Sequence, residues 1–170
     1  DKQPKLVITN PPSKCVPETV DITASYITAG SDPGLSLSYW NDALATSPLT
    51  NKTAIASGGT YYIKADNGTK CPSIMPVSVV INQKTTPQFS LISLLCQNST
   101  PPVLPTTSND GITGSWNPST VSTSSLGSVT YLFTPSGSQC ANPFSIEITV
   151  TDEIIPVFAA PVIALTGFLL

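Results

Sequence analysis

The sequence has neither histidine nor arginine, and all seven of its basic residues are lysines. Without histidine the chain lacks the side chain that most often serves as general base or metal ligand near neutral pH. Without arginine it lacks the planar fork that clamps carboxylates and phosphates bidentately. Charged residues make up 10% of the 170 residues, and the net charge is −3 with no basic cluster. A nucleic-acid partner is therefore not expected. A Cys-x2-Cys pair is also missing, which removes the usual zinc framework. Helical periodicity is absent too. No basic segment followed by an apolar run opens the sequence, so its start reads as mature or internal. These absences argue against acid–base, Ser-His-Asp and His–metal chemistry, so neither an enzyme nor a cofactor is expected.

What is present is a repeat. Residues 60–81 read TYYIKADNGTKCPSIMPVSVVI, and residues 130–150 read TYLFTPSGSQCANPFSIEITV. Each copy is an aromatic strand led by Thr-Tyr, a Gly-containing turn, one cysteine and a second, alternating strand. Val77, Val79 and Ile81 follow Cys71 at the same spacing at which Ile146, Ile148 and Val150 follow Cys140. Period-two alternation, 40% apolar residues, 17 Pro and 10 Gly predict an all-β chain rich in turns. The repeat divides it into unit 1 over 1–84, unit 2 over 85–153, and the opening strand of a truncated third unit over 154–170. Domains this small commonly need a covalent staple.

Within unit 1, short strands are expected at Leu6–Thr9, at Val20, Ile22 and Ala24, and at Leu35–Trp40, then two edge strands within 41–58. Asn67-Gly68 is a strong hairpin signal. That gives about seven strands in unit 1, the count of an immunoglobulin-like sandwich. In unit 2 the run Ile112–Trp116 is a strand ending in tryptophan, as Leu35–Trp40 is. The Ser- and Thr-rich 119–128, with Val121 and Leu126, reads as a weak edge strand. Residues 82–86, NQKTT, read as a polar linker. The apolar tail 154–170 is interrupted by Pro156, Pro161 and Gly167, so strand is favoured over a membrane span.

Four cysteines, two per repeat, read as disulfides of an oxidising compartment. They allow three connectivities, and self-contained repeats make Cys15–Cys71 and Cys96–Cys140 the natural choice, each contributing about 4 kcal/mol by chain entropy. Asp21, Asp32, Asp42 and Asp66 could build a Ca²⁺ site, but their spacing is not that of a calcium loop and solvated turns are the better reading. For Trp40 and Trp116, core packing is the default and an exposed sugar-stacking platform the alternative.

The run GTYYIKADNGTKCPSIMPVSVVI, preceded by LVITNPPSKCVPETVDIT and LSLSYWNDALAT, resembles a repeat of very large flavobacterial cell-surface adhesins, of which the SprB-type gliding adhesins are best known. The second unit, PQFSLISLLCQNSTPPVLPTTSNDGITGSWNPSTVST followed by SVTYLFTPSGSQC, resembles it also. The resemblance covers about residues 5–150. It implies tandem immunoglobulin-like β-sandwich domains in a long filament, exported by the type IX secretion system and displayed outside the cell. Adjacent repeats of the same chain are the implied partners, with surface polysaccharide or the gliding and secretion machinery beyond them. The implied role is a stiff, force-bearing stalk in adhesion and gliding; the alternative is a carbohydrate- or substratum-binding module. Leu165, standing where a third repeat would have its first cysteine, departs from the pattern.

Overall fold

The structure, a computed structural model, describes residues 2–68, 71–137 and 139–152. The proposed third-unit strand at 154–170 lies outside them. Among the described residues the chain is all-β, with nine strands and a single 3-10 turn at Ser25–Thr28. It forms two compact units: unit 1 is Asp1–Thr86 with Ser136–Asn142, and unit 2 is Pro87–Pro135 with Pro143–Leu170. The β-hairpin tip of the second repeat thus groups with unit 1.

Unit 1 is built on an antiparallel sheet in the order β2 (Ser36–Trp40), β3 (Gly59–Asp66), β4 (Ser73–Val79). The β3–β4 turn carries Asn67-Gly68, and Gly68 takes φ +81°, the conformation for which glycine is suited. One face carries Leu37, Tyr39, Ile63, Ala65, Val77 and Val79, which join Leu6, Val20, Ile22, Ile27, Leu49 and Ile55 in one core. The other face therefore carries Ser38, Trp40, Tyr62, Lys64, Ile74 and Pro76 by strand alternation. A second ladder pairs β1 (Lys14–Cys15) in parallel with β5 (Ile81–Asn82), placing Cys15 beside Asn82.

Unit 2 is a four-stranded sheet in the order β6 (Leu94–Cys96), β9 (Phe144–Thr151), β8 (Gly127–Pro135), β7 (Gly114–Asn117). Here too the first strand pairs in parallel with the last, and Cys96 lies beside Thr151. The repeat seen in sequence is reproduced in register: Tyr61 faces Val77 as Tyr131 faces Ile146. The core is aromatic. Phe89 packs on Trp116, Phe133 and Phe144, with ring centroids 4.9, 4.7 and 5.4 Å away. Gly114 makes room for this cluster, because a Cβ there would collide with the Thr134 carbonyl oxygen and the Phe133 ring.

Several expected strands are absent. Leu6–Thr9 forms no strand; Leu6 is buried and the Thr9 N–H donates to the Ile27 carbonyl. Val20 makes only an isolated bridge to Ile55, and Trp40 one to Pro48, so 41–58 holds no edge strand. Val121 is buried but Leu126 is 51% exposed, and no strand precedes Gly127 there. Leu6, Val20, Ile22, Leu49, Ile55 and Val121 are buried as the pattern marks them, whereas Leu44 and Leu126 are exposed, and the backbone donors pair outside any extended ladder.

Candidate functional site

The cysteines are not joined as expected. Cys15 is bonded to Cys140, with Cα atoms 5.3 Å apart, and Cys71 and Cys96 are free and exposed. The pairs Cys15–Cys71 and Cys96–Cys140 fail for a geometric reason. Parallel pairing puts Cys15 beside Asn82, near the end of the β4–β5 run, whereas Cys71 precedes β4 at its start. Eleven residues separate Cys71 from Asn82, on the order of 30 Å of extended chain. A disulfide needs its Cα atoms within about 7 Å. In unit 2, Cys96 likewise sits beside Thr151, at the end of β9 remote from the β8–β9 connection that carries Cys140.

Backbone hydrogen bonds hold the bonded cysteine in place. The Thr85 N–H donates to the Cys140 carbonyl and the Asn142 N–H to the Thr85 carbonyl, both at 2.9 Å, closing a parallel bridge between Thr85 and Ala141. Cys140 itself has φ +51°, a left-handed conformation uncommon outside glycine and asparagine. Residues 82–86, which read as a short polar linker, therefore hold paired backbone within unit 1. Composition gave no sign of it, because main-chain pairing leaves little trace in polar side chains.

Trp116 faces its unit's core, and Trp40 lies on the face of its own sheet turned away from the core. Trp116 pairs in register with Phe133, is 7% exposed, and donates its indole N–H to the Pro105 carbonyl at 2.8 Å. Trp40 pairs with Tyr62, which pairs with Pro76, on the face turned away from the core. Trp40 is half-buried, and its indole N–H reaches Ser38 Oγ at 2.9 Å. The position equivalent to Trp116 is Tyr39, since Tyr39 faces Ile63 as Trp116 faces Phe133. A one-residue offset reverses the face in a strand. Only Trp40 remains available for stacking, in a Trp40–Tyr62–Pro76 row across three strands.

The aspartates serve turns. Asp42 accepts from the amides of Leu44, Thr46 and Ser47, the last at 2.6 Å. These bonds, led by that from Ser47, hold its carboxyl below the usual carboxylate range. Asp21 accepts from Thr23, Asp32 from the Lys5 amide and Asp66 from the Gly68 amide. In unit 2, Asp110 is held low chiefly by the Ser108 hydroxyl and then by the Gln88 amide. Among the described residues no three His, Cys, Asp or Glu side chains come together as a metal site. A shallow cavity of about 180 Å³ lies beside Pro11, Pro12, Lys14, Asp21 and Tyr26, smaller than the few hundred Å³ typical of ligand pockets. Among the described residues no helix is long and apolar enough to cross a membrane.

No protein-family model matches the chain, and no curated protein matches its sequence.

Proposed function

We propose that the chain is a segment of a tandem array of immunoglobulin-like units in an exported, cell-surface adhesin filament of the SprB type, where it acts as a stiff, force-bearing stalk. The immunoglobulin-like reading rests on antiparallel hairpins closed by a first strand parallel to the last, repeated in both units. The observation that carries the mechanical reading is the Cys15–Cys140 bond, which spans 125 residues. Tension applied to the chain ends crosses that bond and leaves the intervening residues unloaded. A stalk gains from this, because the β2–β3–β4 sheet, which lies wholly between the two cysteines, need not resist force itself. A disulfide also fits the oxidising setting of an exported protein. Electron micrographs of chains carrying two, four and six repeats test the stalk reading: contour length should rise in proportion to repeat number. Compact particles whose diameter grows only slowly would overturn it.

A carbohydrate-binding module is the second reading, favoured by one observation, the Trp40–Tyr62–Pro76 row on the sheet face opposite the core. Aromatic faces stack on sugar rings while neighbouring hydroxyls and amines bond their edges. Ser38 and Lys64 lie in the adjacent row.

A further inference from the structure

The two free cysteines occupy the positions of the two bonded ones. Cys96 ends β6 beside Thr151, as Cys15 ends β1 beside Asn82. The following backbone bonds match as well. The Val16 N–H donates to the Asn82 carbonyl at 3.0 Å, and the Gln97 N–H to the Thr151 carbonyl at 2.8 Å. The Glu18 N–H donates to the Cys15 carbonyl, and the Ser99 N–H to the Cys96 carbonyl. Cys71 in turn lies between β3 and β4, as Cys140 lies between β8 and β9. One bond of the type first-strand cysteine to hairpin cysteine of the next repeat is formed. Both leftover thiols are exposed, and each is the repeat-equivalent of one partner in that bond.

We propose that Cys96 and Cys71 are the open ends of a disulfide ladder, in which the first-strand cysteine of every repeat bonds the hairpin cysteine of the repeat that follows. Cys96 takes the Cys71-type thiol of a following copy, and Cys71 takes the Cys96-type thiol of a preceding one. The contact is head to tail, and a head-to-tail contact that does not close on itself propagates as a filament. A short tether between repeats holds the two thiols at an effective concentration of roughly millimolar. Closure needs an oxidant of the disulfide class. The Cys71 thiolate attacks oxidised glutathione and releases one glutathione thiolate. The Cys96 thiolate of the second copy then attacks the Cys71 sulfur of the mixed disulfide and releases the other. Two protein thiols are thereby oxidised to one disulfide and one glutathione disulfide is reduced to two thiols.

The proposal rests on the tandem reading, and it is tested with the full chain. Cys71→Ser and Cys96→Ser variants are held separately and mixed, each at about 1 mM, the effective concentration of a short tether, in a glutathione redox buffer. Peptide mapping by mass spectrometry first checks that Cys15–Cys140 is intact. The mixture should give a covalent dimer joined through Cys71 and Cys96, at least about tenfold more than either variant alone, and the unmodified chain should give a ladder of longer multimers. Equal dimer from a single variant, no dimer from the mixture, or a Cys71–Cys96 bond closed within one unmodified chain would each overturn the proposal. Linked copies whose multi-repeat chains stay compact in micrographs would leave the ladder standing and remove the stalk. Lengthening chains without Cys71–Cys96 bonds would do the reverse.

Discussion

Cys15 and Cys140 are bonded across 125 residues of sequence, while each has a repeat-equivalent, Cys96 and Cys71, that is free. The parallel pairing of β1 with β5 produces this arrangement. It sets the first cysteine of a unit at the end opposite that unit's own hairpin turn. Stability and mechanical behaviour both follow from which thiols are joined.

Thermal unfolding should separate the cysteines. A loop of this length contributes about 5 kcal/mol in the chain-entropy model. Cys15→Ser and Cys140→Ser should each lower the melting temperature of unit 1 by many degrees, and reductant should add nothing further. Cys71→Ser and Cys96→Ser should melt like the unmodified chain. Equal losses from all four variants would restore the within-repeat pairing.

Gly114→Ala should destabilise unit 2 by about 1–3 kcal/mol, the range for overpacking a filled core. The added methyl collides with the Thr134 carbonyl and the Phe133 ring. The denaturant midpoint of unit 2 measures this. At Gly34, where a Cβ meets nothing within 4 Å but φ is +74°, alanine should cost less and only through backbone strain.

The tryptophans should report opposite environments. Trp116→Ala should cost about 3–5 kcal/mol as a buried aromatic truncation, and Trp40→Ala far less. Iodide should quench Trp40 fluorescence in a Trp116→Phe chain and leave Trp116 almost untouched in a Trp40→Phe chain. Weakened polysaccharide binding in Trp40→Ala, with stability retained, would support the binding-module reading; unchanged binding would remove it.

Much of the fold was legible because strand alternation records burial directly. Val77, Val79, Ile148 and Val150 were marked as inward and are buried. Asn67-Gly68 marked the β3–β4 turn. The cysteine pairing was not legible, because it depends on whether β1 runs parallel or antiparallel to β5, and two-residue strands carry no such signal. Core packing, the default reading for both tryptophans, holds for Trp116 and not for Trp40. Trp40 ends β2, where alternation in Leu35–Trp40 already set it opposite Leu37 and Tyr39, whereas Trp116 stands one residue before the end of β7, in a register shifted by one residue. Val20 and Ile22 read as strand because they are buried, at 3% and 0% exposure, yet only Val20 finds a bridge partner.

Acid should loosen two turns. The carboxyls of Asp42 and Asp110 titrate below their ordinary range in the folded chain. A depressed folded pKa means that their contribution is complete above the usual carboxylate value and is lost as pH falls through the lower, folded value. Amide exchange at Leu44, Thr46 and Ser47 should therefore quicken, relative to its intrinsic rate, only below the ordinary carboxylate range. In Asp42→Asn that pH-dependent step should disappear. An unchanged step in Asp42→Asn would assign it to another group.

Single-molecule extension tests the central claim most directly, that the Cys15–Cys140 bond carries load past the β2–β3–β4 sheet. The chain is held by its two ends and pulled with and without a thiol reductant. In oxidising buffer the residues between the two cysteines should never extend. Reduction should release about 440 Å of additional contour length, the extended span of 125 residues. Equal extension with and without reductant would contradict the account, as would release in two smaller steps matching Cys15–Cys71 and Cys96–Cys140.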